Sequence, residues 1–94
     1  MTDIEEVIKD VEQIEEILQG FLSYDSESGG LVSQSIQNMV EIKELLKNPS
    51  ATNIKQALSK AQASYDVFSP YESQAPDLVS AVKSLVNKLN NLVK

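Results

Sequence analysis

Residues 4–21 read IEEVIKDVEQIEEILQGF, the most regular stretch of the chain. Its apolar residues recur at alternating steps of three and four, the spacing of one face of an α-helix packed in a bundle. The residues of this seam are Ile4, Val7, Val11, Ile14, Leu18 and Phe21, and the face is widened by Ile8, Ile17 and Leu22. The pattern predicts a first helix near residues 3–21, with Thr2 and Glu5 as a capping box and a C-terminal end that frays at Gly20.

Three further blocks show the same helical periodicity. They predict helices near residues 31–47, 49–68 and 76–93. The expected inward residues are Val32, Ile36, Met39, Val40 and Leu46 in the second block, flanked by Ile42 and Leu45, then Ala51, Ile54, Leu58, Ala61, Tyr65 and Phe68 in the third, and Leu78, Val82, Leu85, Leu89 and Leu92 in the fourth. Asn48 is expected to cap the third helix, with Pro49 at its first position.

The positions of glycine and proline fit an all-α chain. Both residue types occur only at or near the boundaries of the four blocks, and no stretch has the pattern of a β-strand. Short loops place consecutive helices antiparallel. The sequence therefore predicts one domain, residues 1–94, folded as an up-down-up-down four-helix bundle. The alternative is a three-helix bundle in which one helix docks loosely.

The composition disfavours several kinds of chemistry. The chain has no His, Cys, Trp or Arg, so the usual proton shuttles and nucleophile pairs are missing. We therefore expect no enzyme, and assign no catalytic, cofactor-binding or metal-binding residue. The absence of cysteine and an acidic N-terminus, unlike a secretory signal, favour a cytoplasmic location. The longest apolar run is two residues, which predicts no membrane insertion.

The net charge of −6 lies within the first nineteen residues, where seven acids stand against Lys9. The rest of the chain carries seven acids and seven lysines. Because an acidic balance repels other polyanions, nucleic acid is not expected as a partner. In an antiparallel bundle, lysines of the fourth helix supply part of the counter-charge. The expected pairs are Lys88 and Lys94 with Glu5 and Glu6, and Lys83 with the region of Glu12–Glu16.

These features predict a small, soluble, non-enzymatic helical protein that acts by binding another protein. The expected contact surface is the acidic outer face of the first helix, which suits a partner with a basic surface. Two loop tyrosines are further candidates, since aromatic side chains are enriched at interfaces. The partner-binding residues of this hypothesis are Glu5, Asp10, Glu12, Glu15, Glu16, Tyr24 and Tyr71.

Other interpretations stay open. The alternative is a structural or assembly protein, a homo-oligomer whose heptad-like seams pair between chains. A further alternative is a small immunity- or inhibitor-type four-helix bundle; this is an analogy of size and shape only, because no residue pattern in the chain matches that class. The acids also fit a purely solubilising role, since a net charge away from zero keeps small proteins dispersed.

Overall fold

Four α-helices make up most of the chain. The computed structural model describes residues 3–27 and 29–93, and of Tyr24 only the backbone. The helices are α1 (Ile4–Gln19), α2 (Leu31–Lys47), α3 (Ala51–Phe68) and α4 (Pro76–Val93), with short 3₁₀ turns at Leu22–Tyr24 and Ser69–Tyr71. Within the described ranges there is no strand, and no helix is long and apolar enough to cross a membrane.

The cap of α1 lies one residue later than predicted. Asp3 has extended backbone, and its Oδ1 accepts a hydrogen bond from the Glu6 N–H at 2.8 Å. The predicted pair of Thr2 and Glu5 is therefore replaced by Asp3 and Glu6, and Thr2 itself lies outside the described residues. A carboxylate at this position also faces the positive end of the helix dipole, which stabilises the first turn.

The cap of α3 is Ser50 and not Asn48, so the prediction for this corner was wrong. Ser50 has extended backbone, and its hydroxyl accepts a hydrogen bond from the Asn53 N–H at 3.1 Å. The Asn53 side chain in turn donates to the Asn48 carbonyl at 2.7 Å. A serine directly before the first helical residue satisfies an orphan amide as well as asparagine does. Pro49 consequently lies in the corner and not in the helix.

The helices form a ring in which each packs against two neighbours: α1 against α2 and α4, and α3 against α2 and α4. Contacts across the first pair run in opposite chain directions, because Glu15 meets Lys43 whereas Asp25 meets Ser33. All four helices contribute buried residues to one core. The structure thus confirms the four-helix bundle and excludes the alternative in which one helix docks loosely.

The core faces of α1 and α4 are as predicted. Their central apolar residues are fully or almost fully buried, and the α4 face also includes Val79. These residues are Val7, Val11, Ile14 and Leu18 in α1, and Leu78, Val82, Leu85 and Leu89 in α4. The end residues of the predicted seams, Ile4, Phe21 and Leu92, are only partly buried. Leu22 differs most from the prediction, since it lies beyond the end of α1 and is 44% exposed. The 3.5-residue period therefore identifies the buried face wherever large apolar residues mark every position.

The buried faces of α2 and α3 differ from the predicted ones, and each includes a serine. In α2, Ser35 and Ile42 are buried, whereas Ile36 and Val40, which were predicted to point inward, are only partly buried. In α3 the buried residues are Ala57, Ala61, Ser64 and Phe68, while Ala51 is exposed and Leu58 and Tyr65 are only partly buried. Small inward side chains let neighbouring helices approach closely. The larger residues on either side then cover the seams.

Candidate functional site

The first-helix acids fall into two groups, and the first group is bound to lysines of neighbouring helices. Lys88 Nζ of α4 lies 2.6 Å from Asp10 Oδ2 and 3.4 Å from Glu6 Oε1. The hydrogen bond to Asp10 raises the pKa of Lys88, and the charges of Asp10 and Glu6 add to this effect against the opposing effect of burial. The expected proximity of Lys88 to Glu6 is therefore confirmed, whereas Lys94 lies outside the described residues.

Glu15 is the most enclosed of the predicted partner-binding acids. Its side chain is only 14% exposed, and the cation beside it is Lys43 of α2, not Lys83 of α4. The Lys43 Nζ–Glu15 Oε1 distance is 2.6 Å, and this close contact is the largest cause of the raised pKa of Lys43. Glu15 sits on the edge of α1 that faces α2, so it was wrong to place it on a solvated outer face.

The second group comprises the first-helix acids that remain on the outside. Glu5, Glu12 and Glu16 are exposed along one side of α1, where Lys9 is also exposed. Glu12 additionally lies close enough to Lys43 to contribute to the raised pKa of that lysine. The outer face of α1 therefore carries fewer unbalanced charges than the seven acids of its sequence indicate.

The predicted tyrosines lie at the end of the bundle where α1 and α3 finish and α2 and α4 begin. Tyr71 is 48% exposed there, and the side chain of Tyr24 lies outside the described residues. Tyr71 borders an apolar depression of about 500 Å³, which we call the end cleft. The residues that line the end cleft are Leu18, Phe21, Glu27, Leu31, Val32, Phe68, Tyr71, Gln74, Ala75 and Leu78.

The end cleft continues along one side of the bundle. A groove of about 600 Å³ between α1 and α4 shares Phe21, Gln74, Ala75 and Leu78 with the cleft, and reaches Gln13 and Ser84. The two depressions therefore adjoin, the cleft at the end of the bundle and the groove along the α1–α4 edge. The end cleft, which is mostly apolar with a few polar groups, has the common form of binding sites in proteins.

One wall of the end cleft is fixed by Asp25, which acts as a remote cap for α2. The residue before α2, Gly30, has φ +84° and no side chain to offer the helix. Asp25 takes over this role, because its carboxylate accepts hydrogen bonds from the Ser33 N–H at 2.9 Å and the Ser33 hydroxyl at 2.6 Å. These bonds lower the pKa of Asp25. The segment that carries Glu27 is thereby tied to the first turn of α2.

We expect Asp25→Asn to remove the pH dependence of the contact between the Asp25 side chain and Ser33. A carboxyl group whose pKa is lowered by folding stabilises the fold above its unfolded-state pKa, and this contribution is lost as the pH falls through the lower, folded-state value. Below about pH 4 the Ser33 amide should therefore lose protection against hydrogen exchange in the original protein. In Asp25→Asn this protection should change little with pH.

The control for this measurement is Glu27→Gln, which neutralises a nearby loop acid that does not bond to Ser33. This variant should keep the pH dependence of the Ser33 amide. The same dependence in Asp25→Asn as in the original protein would contradict the role of Asp25 as a cap.

A second, polar groove lies between α2 and α3. Asn38 Nδ2 donates to Ser64 Oγ at 2.6 Å and to the Lys60 carbonyl at 3.0 Å, and Lys60 Nζ lies 2.7 Å from Glu41 Oε1. The contact with Lys60 is the largest cause of the lowered pKa of Glu41. Asn38 thus satisfies the hydroxyl of Ser64, one of the two serines in the core. Because these groups already bond to one another, we interpret the groove as a polar contact that holds α2 and α3 together and not as a binding site.

Comparisons with known proteins do not assign this chain to a family. Comparing the chain with protein-family models, curated proteins and solved structures yielded no match. Among the residues that the structure describes, no group of three or more acidic side chains is arranged to hold a metal ion. The end cleft is the feature of the described surface that most resembles a binding site. The sequence signal that pointed toward it was Tyr71, an aromatic residue next to a helix end.

Proposed function

We propose that this protein is a non-enzymatic binding module that holds a segment of another protein in the end cleft. The observation that carries the proposal is apolar surface left open at one end of an otherwise filled bundle. In the cleft lining Tyr71 is 48% exposed and Phe21 and Leu31 are only partly buried, whereas the central core residues of all four helices are buried. Contiguous exposed apolar surface is characteristic of interaction sites, and tyrosine is enriched among the residues that anchor partners.

The end of the bundle is wide enough for a short amphipathic helix as the bound segment. The two short dimensions of the molecule are 22 and 18 Å, and an α-helix of about twelve residues spans about 18 Å. Such a helix would insert apolar side chains between the four helix ends, in the manner of a helix bound in a groove. The absence of His and Cys supports the non-catalytic part of the proposal. The absence of Cys also supports a cytoplasmic location.

The alternatives from the sequence have less structural support. Assembly of several chains through the helical seams would need exposed apolar residues along those seams. In this structure the core residues of every helix are already buried against the other helices of the same chain. The outer face of α1 stays a competing surface, because Glu5, Glu12 and Glu16 are exposed. Asp10 and Glu15, which belonged to the same hypothesis, are held in interhelical ion pairs. An experiment on the cleft must therefore include variants elsewhere on the surface.

Binding of a model helix tests the proposal. The probe is a helical peptide of about fourteen residues with a leucine face, a glutamine face and one Trp as reporter, which we call the Gln-faced peptide. Since the protein has no Trp, the peptide fluorescence reports binding without background. We expect Tyr71→Ser, which removes an exposed residue of the cleft lining, to weaken binding about tenfold or more, which corresponds to about 1.4 kcal/mol.

The matched control is Val93→Ser, which removes an exposed apolar residue at the C-terminal end of α4, away from the cleft. Val93 is 37% exposed, so this variant also lowers surface hydrophobicity. It should bind the peptide as the original protein does. Equal weakening by both variants, or no binding of either this peptide or a lysine-faced version of it by the original protein, would overturn the proposal.

A further inference from the structure

The end cleft lies in a region of the molecule with acids and no bases. The two segments that build this end are residues 18–33 and 64–80, and neither contains a lysine. They contain five acids: Asp25, Glu27, Asp66, Glu72 and Asp77. Four of these are exposed, and Asp25 is bound to Ser33. Glu27 lines the cleft, and Asp77 lines the adjoining groove between α1 and α4.

The lysines that the structure describes lie elsewhere on the bundle. Lys43 and Lys88 are drawn to the acids of α1, and Lys60 is held by Glu41 between α2 and α3. On α4, the lysine nearest to the cleft is Lys83, which follows Leu78 by about 7.5 Å along the helix axis. Folding therefore places these lysines beside the acids of α1 and beside Glu41, and not at the end cleft. The acids of the first helix gain lysine partners, whereas among the described residues no lysine forms an ion pair with Glu27, Glu72 or Asp77.

We propose that the segment bound in the end cleft is an amphipathic helix with a basic polar face, supplied by another protein. This inference rests on the proposed function of the cleft and adds the charge of its partner. Apolar side chains of the segment occupy the cleft beside Tyr71, and its lysines or arginines lie opposite Glu27, Glu72 and Asp77. Complementary charge around an apolar site fixes the orientation of the partner and raises the rate of association. The same field repels anionic membranes and nucleic acid.

Two peptides that differ only in charge test the inference. The Lys-faced peptide carries lysine wherever the Gln-faced peptide carries glutamine on its polar side. At about 0.01 M salt, where charges act over about 30 Å, we expect the original protein to bind the Lys-faced peptide about tenfold or more tightly than the Gln-faced peptide. At about 1 M salt this preference should fall to about twofold or less, because screening acts within about 3 Å.

Two triple variants locate the source of the preference. Glu27→Gln, Glu72→Gln and Asp77→Asn together neutralise what we call the rim acids: Glu27 of the cleft, Glu72 next to Tyr71 in the chain, and Asp77 of the adjoining groove. Glu5→Gln, Glu12→Gln and Glu16→Gln together neutralise the outer face of α1. Both sets change exposed side chains and raise the net charge by the same amount, so a nonspecific charge effect would be equal in the two. Circular dichroism checks that each variant is helical. We expect the rim variant to lose most of the preference for the Lys-faced peptide and the α1 variant to keep it.

The outcomes separate this inference from the proposed function. Tyr71-dependent binding of both peptides with equal affinity would overturn the basic partner and leave the binding module intact. Loss of the preference in the α1 variant and not in the rim variant would also overturn the inference. Failure of both peptides to bind would overturn the proposed function itself.

Discussion

Leu85→Ala should cost about 2–5 kcal/mol of the free energy of unfolding, the largest single effect that we expect in this protein. Leu85 is fully buried on the core face of α4, with Val82 and Leu89 one turn away on either side. The substitution removes the transfer free energy of three carbon atoms and leaves a cavity that the surrounding helices fill only in part. A domain of this size has a total stability of about 5–14 kcal/mol. The loss is therefore clear in a urea unfolding curve.

The control for Leu85→Ala is Leu22→Ala, the same chemical change at a residue that is 44% exposed. Its expected effect is within about 0.5 kcal/mol, as for most surface substitutions. The two variants together test whether the inward face of α4 is assigned correctly. Equal effects from both substitutions would contradict the assignment.

Lys43→Met should be the second most damaging substitution considered, with a loss of about 1–3 kcal/mol. Lys43 and Glu15 have side chains that are only 21% and 14% exposed, and their charged atoms are 2.6 Å apart. Glu15 Oε1 has no hydrogen-bond partner with good geometry, so the adjacent ammonium is the main compensation for its charge. Removal of the lysine leaves a carboxylate at the junction of α1 and α2 with little access to water.

A second substitution separates the cost of leaving Glu15 unpaired from the cost of losing the packing of the lysine side chain. Addition of Glu15→Gln to Lys43→Met removes the stranded charge, so the double variant should recover most of the stability. Lys60→Met serves as a comparison, because Lys60 and Glu41 are 35% and 45% exposed and water can solvate the remaining acid. Its effect should be much smaller. Urea unfolding at pH 7 measures all four proteins, and a double variant less stable than Lys43→Met would contradict the account.

Much of the fold could be predicted from the sequence. The bounds predicted for α2 and α4 are those observed, and α1 and α3 differ from the predicted ranges by one or two residues at their ends. The heptad spacing of large apolar residues explains this success, since only a helix brings them to one face. The errors in α2 and α3 came from Ser35 and Ser64. A pattern of apolar residues cannot show that a small polar side chain occupies a core position, with Asn38 bonded to Ser64.

The candidate site was less accessible to sequence reasoning. Summation of charge along the chain assigned the whole imbalance to the first nineteen residues. Antiparallel packing predicted the approach of Lys88 from α4, but no pattern in the chain indicated that Lys43 of α2 lies beside Glu15. The end cleft combines residues near 18–32 with others near 68–78. Its apolar character depends on four helix ends meeting, which no local pattern encodes. Tyr71 was identified as an interface residue, but its neighbours were not.

The most direct test of the central claim is the map of amide chemical-shift changes when the Lys-faced peptide is added to the isotope-labelled protein. We predict that the largest changes fall around the end cleft, at residues such as Phe21, Val32 and Leu78, while the outer face of α1 changes little. Changes concentrated at Glu5, Glu12 and Glu16, with the cleft residues unaffected, would contradict the account.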